Sequence, residues 1–226
     1  MITQPHRQGS RRHSLEAQAR MIGLVVAALS AAVLVGYHLG LEALHRPFAD
    51  GPATHPLTAL IIMLLGTAVT RQDNTFGNTI VVNSLAMTCV MLLLIRFLDI
   101  HHATEVHLFF SPFSADVKDE LAAGKLNHMG VNTTAHLVLI AIALFMKSFD
   151  LGKWVLTLGL AASTITVIAL TGYLLDLQPL YGQMSFYSAT LLLLLGIAVS
   201  MGAFATILMD GNQRTRTSRE PTHCGL

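Results

Sequence analysis

Long apolar runs dominate this chain and leave it few folds to choose from. An α-helix rises about 1.5 Å per residue and a bilayer's hydrocarbon core is about 30 Å thick, so a spanning helix needs roughly 20 mostly apolar residues. Six stretches qualify or nearly qualify: 21–44, 56–70, 78–98, 131–148, 151–175 and 184–209. They are continuous where barrel strands would alternate with period two, so they read as helices. The second is the shortest. It reads as a helix that borrows a turn from each flank, with a re-entrant segment as the alternative. The expected fold is all-α and integral to the membrane, with about six transmembrane helices.

Composition agrees. Charged residues make up 12% of the chain and the mean hydropathy is +0.58, whereas a soluble domain carries about 25% charge. Gly and Ala sit inside the apolar runs, which suits close helix packing in lipid. Cys89 and Cys224 are too few for a disulfide framework, and one lies in an apolar run, the other in a polar tail. The first run follows mostly polar residues without a small-residue cleavage site, so it reads as a retained helix. The expected organisation is a basic segment 1–20, a membrane domain 21–209 and a polar tail 210–226. A short amphipathic helix is expected over 114–126, within the outer loop 99–130.

Lys and Arg set orientation, because they stay on the cytoplasmic side. One side carries Arg7, Arg11, Arg12, Arg20, Arg71, Lys147, Lys153, Arg214, Arg216 and Arg219; the other has Arg46, Arg96, Lys118 and Lys125, with most of the acids. Both termini are therefore expected in the cytoplasm of a bacterial cell, with the chain in the inner membrane.

The sequence also repeats. Val35-Gly36-Tyr37-His38-Leu39-Gly40-Leu41, followed by Thr58-Ala59 and Leu65-Gly66, parallels Thr171-Gly172-Tyr173-Leu174-Leu175-Asp176-Leu177, followed by Ser188-Ala189 and Leu195-Gly196. A weaker copy runs from Phe97-Leu98-Asp99-Ile100 to Thr134-Ala135, with Ile142 where the glycine would be. Each unit reads as a helix, an outer loop and a return helix that opens with a hydroxyl–Ala pair. All three enter from one side, so the repeats are parallel hairpins, and packing about a pseudo-threefold axis follows as an expectation. Ala59 and Gly66 share a helix face, as do Ala189 and Gly196. Such small faces, with Gly159-x-x-x-Ser163 and Gly196-x-x-x-Ser200, allow close helix approach. Ligand contact is the alternative to packing.

Gly172-Tyr173-Leu174, Leu180-Tyr181-Gly182, Met184 and Ser188-Ala189 leading into Leu191–Gly196 carry a resemblance, as do Leu108-Phe109-Phe110, Gly124-Lys125, Met129, Asn132 and Thr134-Ala135. Over roughly residues 20–207 the chain resembles the polytopic N-terminal membrane region of bacterial sensor histidine kinases and diguanylate cyclases, which often carry PAS domains after the membrane part. The resemblance implies a sensor-like membrane body. It departs from the pattern after Met209, where only a short polar stretch follows and no kinase, cyclase or PAS segment is present, so any signal is expected to act in trans.

Candidate chemical residues are few. His136 lies in the second turn of the fourth run, with Asn132 one turn before it. Polar groups inside a membrane face the bundle interior. Buried hydrogen bonding, ligand or proton sensing, and haem or metal ligation are its three readings; haem would need an axial partner, for which His38 is the weak candidate. His101, His102, Glu105 and His107 cluster in the outer loop but match no zinc spacing, and no metal site is assigned. The candidate ligand or packing set is Thr58, Thr134, His136, Tyr173, Met184 and Ser188. No G-x-S-x-G, Walker A or H-E-x-x-H pattern is present, so no catalytic residue is assigned. The basic N-terminal segment reads as a topology signal that meets anionic lipid, not nucleic acid.

Two functions follow as expectations. The first is a non-enzymatic, sensor-like membrane protein that binds a small apolar ligand or a partner helix and acts on a membrane or signalling partner, with a homo-oligomer among the options. The second is an accessory subunit of a redox or photosynthetic complex, with a histidine touching haem or pigment.

Overall fold

The computed structural model describes residues 6–48, 51–72, 75–102 and 104–217, and side chains within 13–208. The basic residues Arg7, Arg11, Arg12, Arg214, Arg216 and Arg219, and the end of the expected polar tail, lie outside the described side chains. The protein is all-helical: 81% helix, with no strand among the described residues. In chain order it forms α1 (His6–Leu39), α2 (Glu42–His45), α3 (Pro56–Thr70), α4 (Phe76–His102), a 3-10 turn (Val106–Phe110), α5 (Ser114–Ala122), α6 (Val131–Lys147), α7 (Gly152–Leu174), α8 (Gln178–Tyr181) and α9 (Phe186–Thr217).

Four helices are long and apolar enough to cross a membrane: α1, α4, α7 and α9. Their outward faces are apolar too, with Leu24, Met91, Phe97, Leu160, Ile168 and Phe204 exposed. Exposed apolar surface on this scale belongs in lipid. α3 and α6 are shorter, at 15 and 17 residues. They would span roughly 22 and 25 Å. Both are central. Leu57, Ile61, Ile62 and Leu65 of α3 and Leu137, Ile140 and Leu144 of α6 are fully buried in one core with Leu192 and Leu195 of α9. α1 packs on α3 and α9, α4 on α6 and α3, and α7 on α9 and α6, while α3, α6 and α9 touch one another.

Helix ends depart from the sequence expectation in explicable ways. α3 borrows no turn from its flanks. His55 caps its start, with Nδ1 accepting from Leu57 N at 3.2 Å, and Pro56 occupies the first turn. The preceding segment is irregular yet buried at Ala53, Thr54 and His55, and its amides bond within the protein: Ala53 N to Leu126 O at 2.9 Å and Thr54 N to His45 O at 2.7 Å. Such backbone is tolerated at a bundle end only when satisfied internally. α1 stops at Leu39, short of Leu44, because Gly40 turns left-handed (φ +66°) and Leu41 N bonds back to Gly36 O at 2.8 Å. α1 also runs unbroken through the basic segment, starting at His6. The helix expected over 114–126 ends at Ala122, before Gly124 at φ +75°.

Two pairs of helices meet through small residues. A Cβ on Gly66 would lie 2.9 Å from Gly23 O, and one on Gly159 would lie 2.6 Å from Ser200 Oγ. A Cβ on Gly196 would collide with Ser163 Oγ. These contacts join α1 to α3 and α7 to α9 at van der Waals backbone distance. The α4–α6 pair has no such seam, and Ile142 stands exposed where the glycine would fall.

Candidate ligand site at the distal end

Arg20, Gln72 and Lys147 meet at one end of the bundle, where Arg20 Nη2 donates to Gln72 O at 2.8 Å. The opposite, distal end carries the connections from α1 to α3, α4 to α6 and α7 to α9, and most of the polar contacts between segments.

The three outward helices brace the inner helices there. Tyr37 of α1 donates its hydroxyl to Thr54 O at 3.0 Å, just before α3. Tyr173 of α7 donates to Met184 O at 2.6 Å, just before α9. At the end of α4 the bracing residue is Arg96, whose Nη2 and Nε reach Met129 O at 2.7 and 3.2 Å, just before α6.

A charged brace needs a counterion, and Asp99 lies one turn on, only 2% exposed. Its Oδ1 accepts from Thr104 Oγ1 at 2.5 Å and Val106 N at 3.1 Å. Its Oδ2 accepts from His107 N at 2.5 Å and His107 Nδ1 at 2.7 Å. Four donors leave this carboxylate no easily opened lone pair. The carboxylate can only accept, so His107 carries its proton on Nδ1 and presents Nε2 as a lone pair. Arg96 Nη1, 3.5 Å from that protonated Nδ1, therefore makes no hydrogen bond to it.

These groups line a cavity of about 320 Å³ with His55, Asn127, His128 and Met129, walled by Val117 and Leu121 of α5. His55 is 2% exposed and its ring centre is 5.5 Å from that of His107. Its Nδ1 accepts the cap bond, so the proton sits on Nε2, which has no partner. A buried donor left unpaired costs about 1–3 kcal/mol. Asn127 is held by two donations from Nδ2, to Tyr37 Oη and to Glu120 Oε2, each at 2.9 Å, and its buried Oδ1 has no partner. Burial, and then the positive charge of Arg96, keeps His128 below the ordinary histidine range. His107 is lowered by burial and Arg96 against the opposing pull of Asp99. His55 is lowered furthest, by burial first and then by His107, Arg96 and His128. All three are neutral at neutral pH.

Behind Asn127 a second network ties the distal end together. Arg46, buried, pairs with Glu120 at 2.8 Å and donates to Gly51 O at 2.6 Å, while His45 meets the other Glu120 oxygen at 3.2 Å. Thr54 Oγ1 lies 2.6 Å from Ser185 Oγ, which donates to Ser188 Oγ at 2.9 Å.

The candidate ligand or packing residues named from sequence lie elsewhere. Thr58 is buried with its hydroxyl unpartnered, Thr134 donates back to Gly130 O at 3.0 Å, and Ser188 belongs to the Thr54–Ser185 cluster. Tyr173 and Met184 form the brace described above, and Met184 also lines a separate cavity with Gly130 and Tyr181. His136 is 0% exposed and lies 2.7 Å through Nδ1 from Thr166 Oγ1 of α7. Its Nε2 is buried with no hydrogen-bond partner, and a haem iron would have to sit in line with that nitrogen, within the helix packing. His38 is exposed near Phe113 at the end of α1, and the structure does not bring it to His136. Of the loop cluster, Glu105 and His107 reach the cavity, while His101 and His102 are exposed and touch each other. No group of three His, Cys, Asp or Glu among the described residues is placed to hold a metal ion.

Sequence reasoning missed His55, Arg96, Asp99, Asn127 and His128 as a group. One signal was present: aligning Asp99 with Gly40 and Asp176 sets Arg96 against Tyr37 and Tyr173. Fold and site together define an all-helical protein with four candidate membrane-spanning helices and a polar cavity at one end of the bundle. Comparison with known protein families, curated proteins and solved structures finds no match for this chain.

Proposed function

We propose that this chain is a non-enzymatic bacterial inner-membrane protein of three parallel hairpins, α1–α3, α4–α6 and α7–α9, with α3 and α6 completing six spans. It receives a small molecule at its distal, outward end and acts in trans on a partner protein. Support for the hairpins comes from packing. Each outward helix lies against its own inner helix and against one other, in cyclic order. The corners after α1 and α7 agree bond for bond: Leu41 N to Gly36 O and Leu177 N to Gly172 O are both 2.8 Å, and Leu44 N to Leu41 O and Leu180 N to Leu177 O are both 3.0 Å. Short inner helices shielded from lipid need not match the bilayer thickness.

The ligand reading is carried by the cavity and by the unpaired Nε2–H of His55 within it. A built polar cavity with unspent donors and acceptors is the usual form of a small-molecule site. It moves the expected ligand from an apolar one among the return helices to a polar one at their distal ends. The sensor-like reading adds the resemblance described from sequence, and the partner is a membrane or signalling protein.

Hydrogen exchange on the full chain in lipid nanodiscs tests the relay, with a panel of small carboxylates, amines and sugars. A ligand that protects 104–108 and 127–131 should also change exchange at 70–76, the proximal corner held by Arg20, Gln72 and Lys147. Protection confined to the distal end means that occupancy is not passed on, and the sensor reading fails. Reporter fusions at Gly211 and within 111–125 test the topology: an outside C-terminus or an inside 111–125 loop rules out the orientation.

A further inference from the structure

We infer that the distal cavity binds a small organic carboxylate, held by Arg96 and the Nε2–H of His55 and taken up with one proton on His107. The inference rests on reading this cavity as the ligand site, and goes beyond it by naming the ligand's chemistry and its proton coupling.

The argument is one of unspent groups. Arg96 uses Nε and Nη2 on Met129 O, and Nη1 has no acceptor once His107 Nδ1 is recognised as a donor. His55 Nε2–H is buried and unpaired. Two N–H donors, one on a permanent cation, thus meet in one cavity. Asp99, the nearest anion, is saturated by four donors and competes for neither. A carboxylate is the small group whose two oxygens accept from two such donors, and a guanidinium favours its planar geometry. An ammonium would find acceptors in Asn127 Oδ1 and the Nε2 lone pair of His107, but it would also meet the permanent positive charge of Arg96, which repels it.

Charge decides the proton. The charged and titratable groups facing the cavity are Arg96 and Asp99 from α4, Glu105 and His107 from the 3-10 turn, His55 before α3 and His128 before α6. α5 contributes the apolar Val117 and Leu121, and the segment before α9 contributes the uncharged Gln183. Arg96 is thus already balanced by buried Asp99, the exposed Glu105 adds a further negative charge, and an added anion has no spare positive charge to meet. It binds when a proton accompanies it. His107 is the acceptor: its Nε2 is a lone pair, and Asp99 on Nδ1 is placed to stabilise the imidazolium. The balance is simple. One carboxylate anion and one solvent proton enter, and the cavity gains no net charge.

Isothermal titration of the full chain in nanodiscs with propionate, propionamide and propylamine tests this, at about pH 6 and about pH 7.5 and in buffers of different ionisation heat. Propionate should bind about tenfold tighter per unit fall in pH, with close to one proton taken up, and propionamide and propylamine should not compete. His55→Asn keeps a side-chain oxygen to cap α3 and has no N–H where Nε2 stood, its own amide nitrogen lying nearer the backbone, so propionate should weaken about tenfold with the melting temperature near pH 7.5 unchanged. Arg96→Gln should abolish binding. Because Arg96 also braces Met129, Arg96→Lys is the companion: it keeps the charge and should retain partial binding. Propionamide binding as well as propionate, or propionate binding without proton uptake, overturns the inference. So does His55→Asn without effect. Propylamine binding where propionate does not defeats the carboxylate and leaves the ligand-site reading standing. If none of the three binds and cavity variants change no exchange pattern with the wider panel, both readings fall.

Discussion

At the corner after α1, Tyr37 reaches across to Thr54 O; at the corner after α7, Tyr173 reaches across to Met184 O. Both helices end on a left-handed residue, Gly40 or Asp176, and both are followed by a one-turn helix. In each, a glycine one turn before the end lets that one-turn helix close over it: a Cβ on Gly36 would lie 2.6 Å from Leu44 Cβ, and one on Gly172 would lie 2.7 Å from Leu180 Cβ. The corner after α4 performs the same task, fixing the carbonyl before an inner helix, but with Arg96. A tyrosine brings a neutral donor and an apolar ring, so its corner can close. An arginine brings a permanent charge, which demands Asp99, and Asp99 in turn demands Thr104, Val106 and His107. α4 stays helical through Asp99, where the other two corners turn left-handed, and runs on to His102, and the loop wraps back to supply those donors. The cavity is what remains between a charged brace and the loop that neutralises it. In a body of proposed repeats, the copy that departs from the pattern holds the candidate site.

The sharpest way to break this comparison is to remove the counterion. Asp99→Ala would leave the half-buried Arg96 without its neighbouring anion and strip the acceptor from Val106 N and both His107 donors. A loss of about 3–5 kcal/mol is expected, from denaturant titration in detergent. The equivalent Asp176 is exposed and makes no comparable bonds, so Asp176→Ala should change stability by about 0.5 kcal/mol or less. Equal losses would mean that the second corner is not special.

The close seams give the next largest effect. Gly66→Leu and Gly196→Leu should each cost about 3 kcal/mol, because the new side chain meets backbone at Gly23 and Ala27, or Ser163, with no room to relax. Gly152→Leu meets the flexible end of Ile207 at 3.3 Å and should cost about 1 kcal/mol. Thermal unfolding of the three variants decides it, and similar losses would show that the seams at Gly66 and Gly196 are no tighter than the helix start at Gly152.

The buried histidines should make the second corner pH-sensitive. His55 is held well below its ordinary value, chiefly by burial. Its unfolded form therefore binds a proton that its folded form refuses. Stability is full above about pH 6.5 and falls as pH drops below it, by up to about 1.4 kcal/mol per pH unit for this one group. His55→Asn should flatten that slope in a pH series of unfolding midpoints without altering stability near pH 8.

Much of the fold was legible because its helices are written as long apolar runs. Continuous apolar runs, the hydroxyl–Ala pairs and the glycine spacing gave the helices, and Gly66 and Gly196 lie in the close contacts their spacing suggested. Boundaries were less legible, since Gly40 ends α1 by its conformation and not by any loss of apolar character. The site was hardest to read. His136 drew attention as the histidine deepest in an apolar run, yet its Thr166 partner lies on another helix, at a sequence separation of 30 residues. His55 carries no signal in the sequence, and only folding shows that a proline-started helix places its ring next to His107. Long-range pairings of this kind have no local signature.

The smallest effect tests whether the third corner is built as the first is. Gly40 and Asp176 sit at equivalent places with φ of +66° and +52°. Glycine adopts that region freely, whereas an aspartate with its Cβ is strained there. If the two corners share one backbone path, Asp176→Gly should relieve that strain and stabilise the protein by about 0.5 kcal/mol, the gain being partly offset by the added freedom of the unfolded chain. The converse, Gly40→Asp, should destabilise by a similar amount, since nothing lies within 4 Å of a Cβ at Gly40 to clash with it. The pair therefore isolates backbone conformation from packing. Opposite and nearly equal shifts in unfolding midpoint support a shared corner. A loss at both sites would show that Asp176 serves α7 through its side chain, and that the two corners agree in geometry but not in cause.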